Sequence, residues 1–400
     1  MLTDENLLFL KRCFDLGRLG TDTSPNPSVG SVIVAPDGRI IGEGYTQIYG
    51  GAHAEVMAVA SVKMTDRVLL PLSTIYVSLE PCAHFGRTPP CLDLILREKI
   101  AHVMIAHLDP NPLVCGKSVT KLQEKGVDVK ILNYNNVLIR RNTEGGAFFD
   151  RQLQNEKIVT LMPFFTNMTK KRPYIILKWA ESADGFIGSK QAQISVSNNY
   201  SKRLVHKWRS EVDAIMVGTT TAEVDNPELT NRFYFGKSPI RVVLDRYSRL
   251  SPSLKVFDGA VKTFVFSENT EGVNKFKIQN SKLKSNNPEQ SLQPHTSSLI
   301  SHTSHFILPF DDFLLENILS ELQANKIGIL FVEGGQKLLS SFIQRGLWDE
   351  ARVFTASKTL GEGISAPQLR NGTLQQSIQL EGDMLRVYIQ VQANQEGFAA

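Results

Sequence analysis

The chain has 400 residues, 42% of them hydrophobic, with 44 basic and 40 acidic side chains and a formal charge of +4. That length predicts two or three globular domains, the small charge excess does not by itself predict nucleic-acid binding, and no stretch approaches the roughly 20 apolar residues of a membrane span. The opening Met1-Leu2-Thr3-Asp4-Glu5 lacks the basic-then-apolar order of a secretory signal, and four cysteines make no disulfide framework, so a reducing, cytoplasmic setting is expected.

Residues 3–19 carry Leu7, Leu8, Leu10, Phe14 and Leu16 at helical spacing and stop at Gly17 and Gly20, which predicts an opening helix with Cys13 on its core face. Pro25-Asn26-Pro27-Ser28-Val29-Gly30 then leads into apolar runs at 31–35 and 39–44 around Asp37-Gly38, a hairpin. Asn26 has two readings on the residues alone. Its amide offers the donor and acceptor that suit a pyrimidine edge, and an asparagine between prolines also suits an Asx turn. Residues 53–62 read as a short helix, 74–79 as an apolar strand, 91–99 as a helix and 103–106 as a strand, an order that implies βαβ crossovers. His53 and Cys82 are expected at helix starts, where the dipole favours thiolate and hydroxide.

Within this region stand His53-Ala54-Glu55 and Glu80-Pro81-Cys82, with Cys91 further on. One imidazole and two thiolates are three zinc ligands. They leave the fourth tetrahedral position to water, as in a catalytic site. A structural zinc would not require Glu55, which suits a proton carrier between activated water and leaving ammonia. The competing readings are His53, Cys82 and Cys91 as core residues, or a closed zinc completed by Cys115 or His84. Both leave Glu55 and the Pro-Cys pair unexplained. The H-x-E and P-C constellation is similar to that of zinc base deaminases, but eight residues separate these cysteines where that signature has two.

The run Pro81-Cys82-x-His84-x-Gly86-Arg87-Thr88-Pro89-Pro90-Cys91 resembles the deaminase half of the bifunctional riboflavin-biosynthesis deaminase/reductases. The resemblance implies that the enlarged inter-cysteine loop, His84 included, belongs to a pyrimidine site. It also implies that Asn26 contacts substrate and that loop 109–118 borders the site through Asn111 and Lys117. A solvated lysine is the other reading of Lys117.

From about 133 to 171 the pattern loosens and lacks the compact connection usual in that family. Residues 146–171 therefore read as a linker between one domain at 1–145 and a second at 172–400. The second predicts strands at 172–180, 214–218, 240–244 and 328–332 and helices at 199–209 and 336–344. No G-x-G-x-x-G follows a strand, which argues against a Rossmann fold. Glu333-Gly334-Gly335, between a strand and a helix, would let backbone N–H groups approach a pyrophosphate. Residues 267–304, rich in Ser, Asn, Lys and Gln, read as a surface insertion with His302 and His305 solvated.

The segments L-K-x-A-x-S-x-D-G, V-G-x-x-T…D-N-P-x-L-T-x-R, R-V-V-L-D and V-E-G-G are similar to the reductase half of the same family. The fold class expected is α/β, a cytidine-deaminase-like zinc domain followed by a dihydrofolate-reductase-like domain. The resemblance implies NADPH against Ala180, Ser195, Thr221, Asp225, Arg246, Gly335, Gln336, Lys337, Leu338, Leu339, Ser340 and Ser341. It implies a ribosyl-phosphate substrate against Lys178, Gln193, Arg209, Leu229, Arg232 and Glu333. Arg209 and Arg232 also make independent sense, because guanidinium forks fit phosphate oxygens. Ser195 departs from the aromatic residue usual there.

The implied activity is zinc-dependent hydrolytic deamination of a phosphoribosylamino-diaminopyrimidinone, then NADPH-dependent reduction of its ribosyl side chain to ribityl. The resemblance also implies a homo-oligomer; neither nucleic acid nor membrane is expected as a partner. One competing reading is a nucleic-acid base deaminase with a non-catalytic C-terminal binding domain. Another keeps the deaminase and makes the second domain catalytically silent. NADPH oxidation separates the implied activity from the silent-domain reading.

Overall fold

A computed structural model of the chain describes residues 3–20, 23–112, 114–132, 160–189, 194, 196–270 and 302–391. They form two compact units, Met1–Arg172 and Pro173–Ala400.

In the first unit, helix α1 (Asp4–Gly17) starts at Thr3, whose side chain accepts from the Asn6 N–H while the Asn6 amide accepts from the Thr3 N–H. This reciprocal cap satisfies two otherwise orphaned donors. Leu7, Leu10, Cys13 and Phe14 form its buried stripe. The sheet runs β2-β1-β3-β4-β5, with strands β1 (Gly30–Val34), β2 (Ile40–Tyr45), β3 (Thr74–Val77), β4 (His102–Ile105) and β5 (Asp128–Ile131). β1 pairs antiparallel with β2 and β3, whereas β3, β4 and β5 are parallel. The crossovers are helices α3 (Cys91–Arg97) and α4 (Lys117–Glu124), and α2 (Ala54–Ser61) packs on the hairpin. Gly44 permits that packing, because a Cβ there would lie 2.3 Å from the Ala54 carbonyl oxygen. Its small size sets the first turn of α2 directly against the sheet.

Part of the expected linker is not a linker. Residues Met162–Lys170 form helix α5, with Pro163 in its first turn. Leu161 is fully buried in a cluster with Phe14, Tyr76 and Met104, and Phe164 and Phe165 pack against it. Apolar burial fastens this segment to the first unit. The rest of the expected linker, 146–159, lies outside the described residues.

The second unit is built on a nine-stranded sheet in the order β11-β10-β9-β8-β12-β6-β13-β16-β15. Its members are β6 (Tyr174–Glu181), β8 (Ala214–Gly218), β9 (Ile240–Leu244), β10 (Thr263–Ser267), β11 (Thr303–Ile307), β12 (Ile329–Glu333), β13 (Glu350–Ala356), β15 (Gly372–Leu380) and β16 (Asp383–Gln390). The strands from β11 to β13 are parallel, and β16 and β15 extend the edge antiparallel. β7 (Phe186–Gly188) pairs with β14 (Ile364–Ser365). Helices α6 (Asn199–Glu211), α7 (Thr219–Asp225), α8 (Leu314–Ala324) and α9 (Gln336–Gln344) complete the unit. Central strands β8 and β12 read as continuous apolar runs, as burial on both faces requires.

The expected insertion is shorter than 267–304. Ser267 closes β10, and Thr303 and Ser304 open its parallel neighbour β11; residues 271–301 lie outside the described set. His305 is not solvated. It is a half-buried residue of β11, and burial pushes its pKa down. Among the described residues, no helix is long and apolar enough to cross a membrane.

Candidate functional site

His53 precedes α2 as its N-cap residue in extended conformation, so its imidazole projects from the helix mouth. Its Nδ1 stands 3.3 Å from Cys91 Sγ and 3.6 Å from Cys82 Sγ. The three donor atoms lie within 4.8 Å of one another. Cys91 opens α3, but Cys82 sits in the loop after β3, which corrects the expectation of a helix start. The helix dipole reaches it all the same, because the Cys91 N–H at the mouth of α3 donates to Cys82 Sγ at 3.3 Å. Hydrogen bonding from Cys91 and His53 outweighs burial and lowers the Cys82 pKa. An imidazole and two thiolates fit zinc, with the fourth position open. Neither Cys115 nor His84 joins the cluster among the described residues, so the closed-zinc reading lacks its fourth ligand.

Glu55 lies in the first turn of α2 and is 4% exposed. Burial raises its pKa, and the nearby Cys82 sulfur adds to the effect. The carboxyl is thereby shifted towards the range in which it exchanges protons near neutrality.

His53, Cys82 and Glu55 open onto a cavity of about 420 Å³ also lined by Asn26, His84 and Asn111. Lys117 is exposed at the start of α4 and does not line it. Several lining residues carry no assignment in the sequence reading. Arg87 lies over the Tyr49 ring, 4.5 Å from its centroid, and Phe164 and Met168 of α5 form part of the wall. Arg87 stands inside the quoted inter-cysteine pattern and was legible there. Phe164 and Met168 are more than 70 residues from Cys91, and no local spacing marks them.

In the second unit, parallel pairing of β12 with β6 places Glu333 beside Lys178. Their charged atoms are 3.9 Å apart. Arg209, from α6, donates Nε to Glu333 Oε1 and Nη2 to Oε2, both at 3.0 Å, and Nη1 to the Thr230 carbonyl at 3.2 Å. Burial would raise the Glu333 pKa, but Arg209 and Lys178 outweigh it and bring the carboxyl to about 2. Burial lowers the Lys178 pKa. The Arg232 guanidinium pairs with Glu228, and its backbone N–H donates to His206 Nδ1 at 2.9 Å. His206, unassigned in the sequence reading, is pushed to about 4 by burial and by Arg209 and Arg232. Lys178, Arg209 and Arg232 make this region suited to an anionic ligand. Leu229 differs from expectation: its side chain is 2% exposed and its φ is +55°, so the backbone is what it can present.

Around the expected cofactor turn, the Gly335 N–H donates to Thr221 Oγ1 at 2.9 Å. Gly334 has φ +145°, a conformation available mainly to glycine. Gln336 and Lys337 begin α9 beyond this turn, so its N-terminal amides face the same mouth. Leu338 and Leu339 are 9% and 0% exposed within the core. Their side chains cannot meet a cofactor, which leaves only their backbone for the expected role. Ser340 follows them, and Ser341 donates to the Lys337 carbonyl. Ala180 is half-buried on β6, and burial raises the pKa of Asp225 at the end of α7. Exposed Arg246 pairs with Glu268 at 2.8 Å and lies over Tyr247 and Phe310. Gln193 and Ser195 fall outside the described residues.

Comparison with known proteins matches residues 3–107 to the cytidine and deoxycytidylate deaminase zinc-binding region and residues 173–390 to the RibD C-terminal domain. The riboflavin biosynthesis protein RibD of Aquifex aeolicus (strain VF5) is 35% identical over 362 residues, 90% of this chain and 88% of that protein. The Escherichia coli (strain K12) protein of the same name is 30% identical over 368 residues, 88% of each chain. Among solved structures, a diaminohydroxyphosphoribosylaminopyrimidine deaminase/5-amino-6-(5-phosphoribosylamino)uracil reductase from Thermotoga maritima superposes with a TM-score of 0.77 at 30% identity, covering 97% of this chain and 99% of that one. Acinetobacter baumannii RibD gives 0.74 at 28% identity, covering 96% and 98%.

Proposed function

The chain belongs to the RibD family of riboflavin-biosynthesis proteins, bifunctional enzymes that join a zinc-dependent deaminase to an NADPH-dependent reductase, and from that premise we propose which of its residues do the work. The unit at 1–172 deaminates a phosphoribosylamino-diaminopyrimidinone, and the unit at 173–400 reduces the ribosyl chain of the product to ribityl. The observation that carries this reading is the opening of His53, Cys82 and Glu55 onto one cavity, with Cys91 beside them.

His53 Nδ1, Cys82 Sγ and Cys91 Sγ would hold a zinc ion, which would supply a Lewis acid that lowers the pKa of water towards neutrality. Glu55 accepts the proton from the attacking water on a carboxylate oxygen and delivers it to the departing amine, so that ammonia leaves. Burial raises its pKa, the direction that favours taking up a proton before passing it on. Asn26, His84 and Asn111 orient the pyrimidine with their polar groups, and Arg87 supplies the guanidinium for its phosphate.

In the second unit, NADPH supplies the hydride. The turn at Gly334-Gly335, fixed by Thr221, and the mouth of α9 would hold the pyrophosphate, and Arg246 would supply a guanidinium for the adenosine 2′-phosphate. Ala180, Asp225, Gln336, Lys337 and Ser340 border the cofactor, and Ser195 and Gln193 keep their family-implied roles towards cofactor and substrate. Lys178, Arg209 and Arg232 hold the ribosyl phosphate, with Glu333 orienting Arg209. Substrate positioning against the cofactor supplies most of the rate effect.

We propose a cytoplasmic location, because thiolate ligands suit a reducing compartment, and a homo-oligomer on family resemblance alone; light scattering checks the latter. The central test uses zinc-loaded protein on the diaminopyrimidinone ribosyl phosphate, following ammonia and then NADPH absorbance. Ammonia followed by NADPH loss supports the reading. Ammonia without NADPH loss reduces it to a deaminase, and no ammonia overturns it.

A further inference from the structure

Glu80 stands two residues before Cys82, is 4% exposed and lines the cavity, but it is not in the metal set and has no role assigned above. Its two carboxylate oxygens receive four donors. Oε2 accepts from the backbone N–H groups of Asp109 at 3.2 Å and Gly116 at 3.0 Å. Oε1 accepts from the Ser118 N–H at 3.2 Å and the Ser118 hydroxyl at 2.7 Å. All four donors come from one segment, the loop after β4 and the first turn of α4. The Glu80 N–H in turn donates to the His107 carbonyl at 2.8 Å, just before that segment begins.

That segment is one wall of the deaminase cavity. Asp109, Asn111 and Val114 line it, and the Asn111 N–H donates to Asp109 Oδ1 at 2.8 Å. Four donors converge on the two oxygens, and a carboxylate can accept from all of them. A glutamine of the same size would turn one end of the group into an N–H₂ donor facing N–H groups, leaving at least one buried donor without a partner. The β3–β4 ladder is formed by other residues, so loss of this clasp releases the loop more than the sheet.

We infer that Glu80 is a positioning residue for the deaminase reaction: it clasps the loop after β4 and the start of α4 to the loop after β3 that carries Cys82, and so holds Asn111 and Asp109 at a fixed distance from the proposed zinc ligands. Because this rests on the deaminase reading, the experiment must separate the two. Wild-type protein, Glu80→Gln and Ser118→Ala are compared for ammonia release, zinc per chain and NADPH-dependent reduction of deaminated substrate.

The expected result for Glu80→Gln is a KM for deamination raised about 10-fold or more, from loss of charge-assisted hydrogen bonds, with kcat within about 3-fold. Zinc content and reduction stay at the wild-type level. Ser118→Ala removes one donor and should raise KM by a smaller factor, and the double variant should show less than the product of the two effects. An unchanged KM in Glu80→Gln, or a loss confined to kcat or zinc, overturns the inference. If Glu80→Gln does not fold, Ser118→Ala decides: raised KM with full zinc supports the clasp, and unchanged KM refutes it. Failure of the wild type to release ammonia would instead overturn the deaminase reading.

Discussion

Arg209 and Glu333 meet as a two-pronged pair, with both N–O distances at 3.0 Å and both side chains nearly withdrawn from solvent. Such a pair resists the loss of one member more than the loss of both, since a lone buried charge keeps its desolvation penalty. Arg209→Ala is expected to destabilise the second unit by about 3 kcal/mol. The double variant with Glu333→Gln should cost less than the sum of the two single variants, because the two sites share one interaction. Urea unfolding of the single and double variants measures both. Arg209→Ala should also depress the reductase step while ammonia release continues.

The same region makes stability depend on pH. His206 has its pKa pushed from 6.5 to about 4 by burial and by Arg209 and Arg232. Between about pH 4 and 6.5 the unfolded chain therefore binds the proton and the folded chain does not, so stability rises with pH across that window. Glu333, brought from 4.5 to about 2, contributes stability that is present above about pH 4.5 and lost as pH falls towards 2. His206→Asn should flatten the upper window, worth on the order of 2 kcal/mol, and leave the lower one. Unfolding midpoints measured from pH 2 to 7 give the slope in both windows.

Thr221 has a role that its replacement by valine isolates. Valine has nearly the same shape but cannot accept the Gly335 N–H, so the turn at the mouth of α9 loses its anchor and keeps its packing. Loss of one such hydrogen bond corresponds to about 1–2 kcal/mol. The KM for NADPH is expected to rise roughly 5- to 20-fold, with deamination unaffected. An unchanged KM would show that the turn holds its shape without Thr221.

Legibility in the sequence follows the distance over which each feature is encoded. His53, Cys82 and Cys91 lie in two short runs whose residue types suit zinc ligation, with Glu55 beside His53, so this proposed set is readable before any folding, and the structure brings the three donor atoms within 4.8 Å of one another. Strands β8 and β9 and helix α9 follow from apolar runs punctuated by glycine and polar residues, and their bounds match the expectation. Leu338 and Leu339 show the limit: a family pattern names the α9 stretch, but only packing shows that these two side chains face the core. His206 depends on its closeness to Arg232, 26 residues away, and α5 joins the cavity wall from beyond residues 133–159. Neither relationship leaves a period or motif. Pro163 followed by Phe164 and Phe165 was the one local hint of a helix start.

Zinc removal tests how independently the two units work. The three proposed ligand atoms belong to the first unit, at the starts of α2 and α3 and in the loop after β3, whereas Lys178, Arg209, Thr221 and Glu333 belong to the second. With three protein ligands and an open position, the site should yield its metal to a strong chelator without unfolding the β3–β4–β5 ladder. Chelated protein is expected to lose ammonia release by about 10³-fold or more, to recover it on adding zinc, and to reduce separately supplied deaminated substrate at an undiminished rate. Glu55→Gln should show the same split with zinc retained, with ammonia release lowered about 10²–10⁴-fold. Metal analysis beside the two assays distinguishes them. If chelation abolished reduction as well, the two activities could not be assigned to separate units.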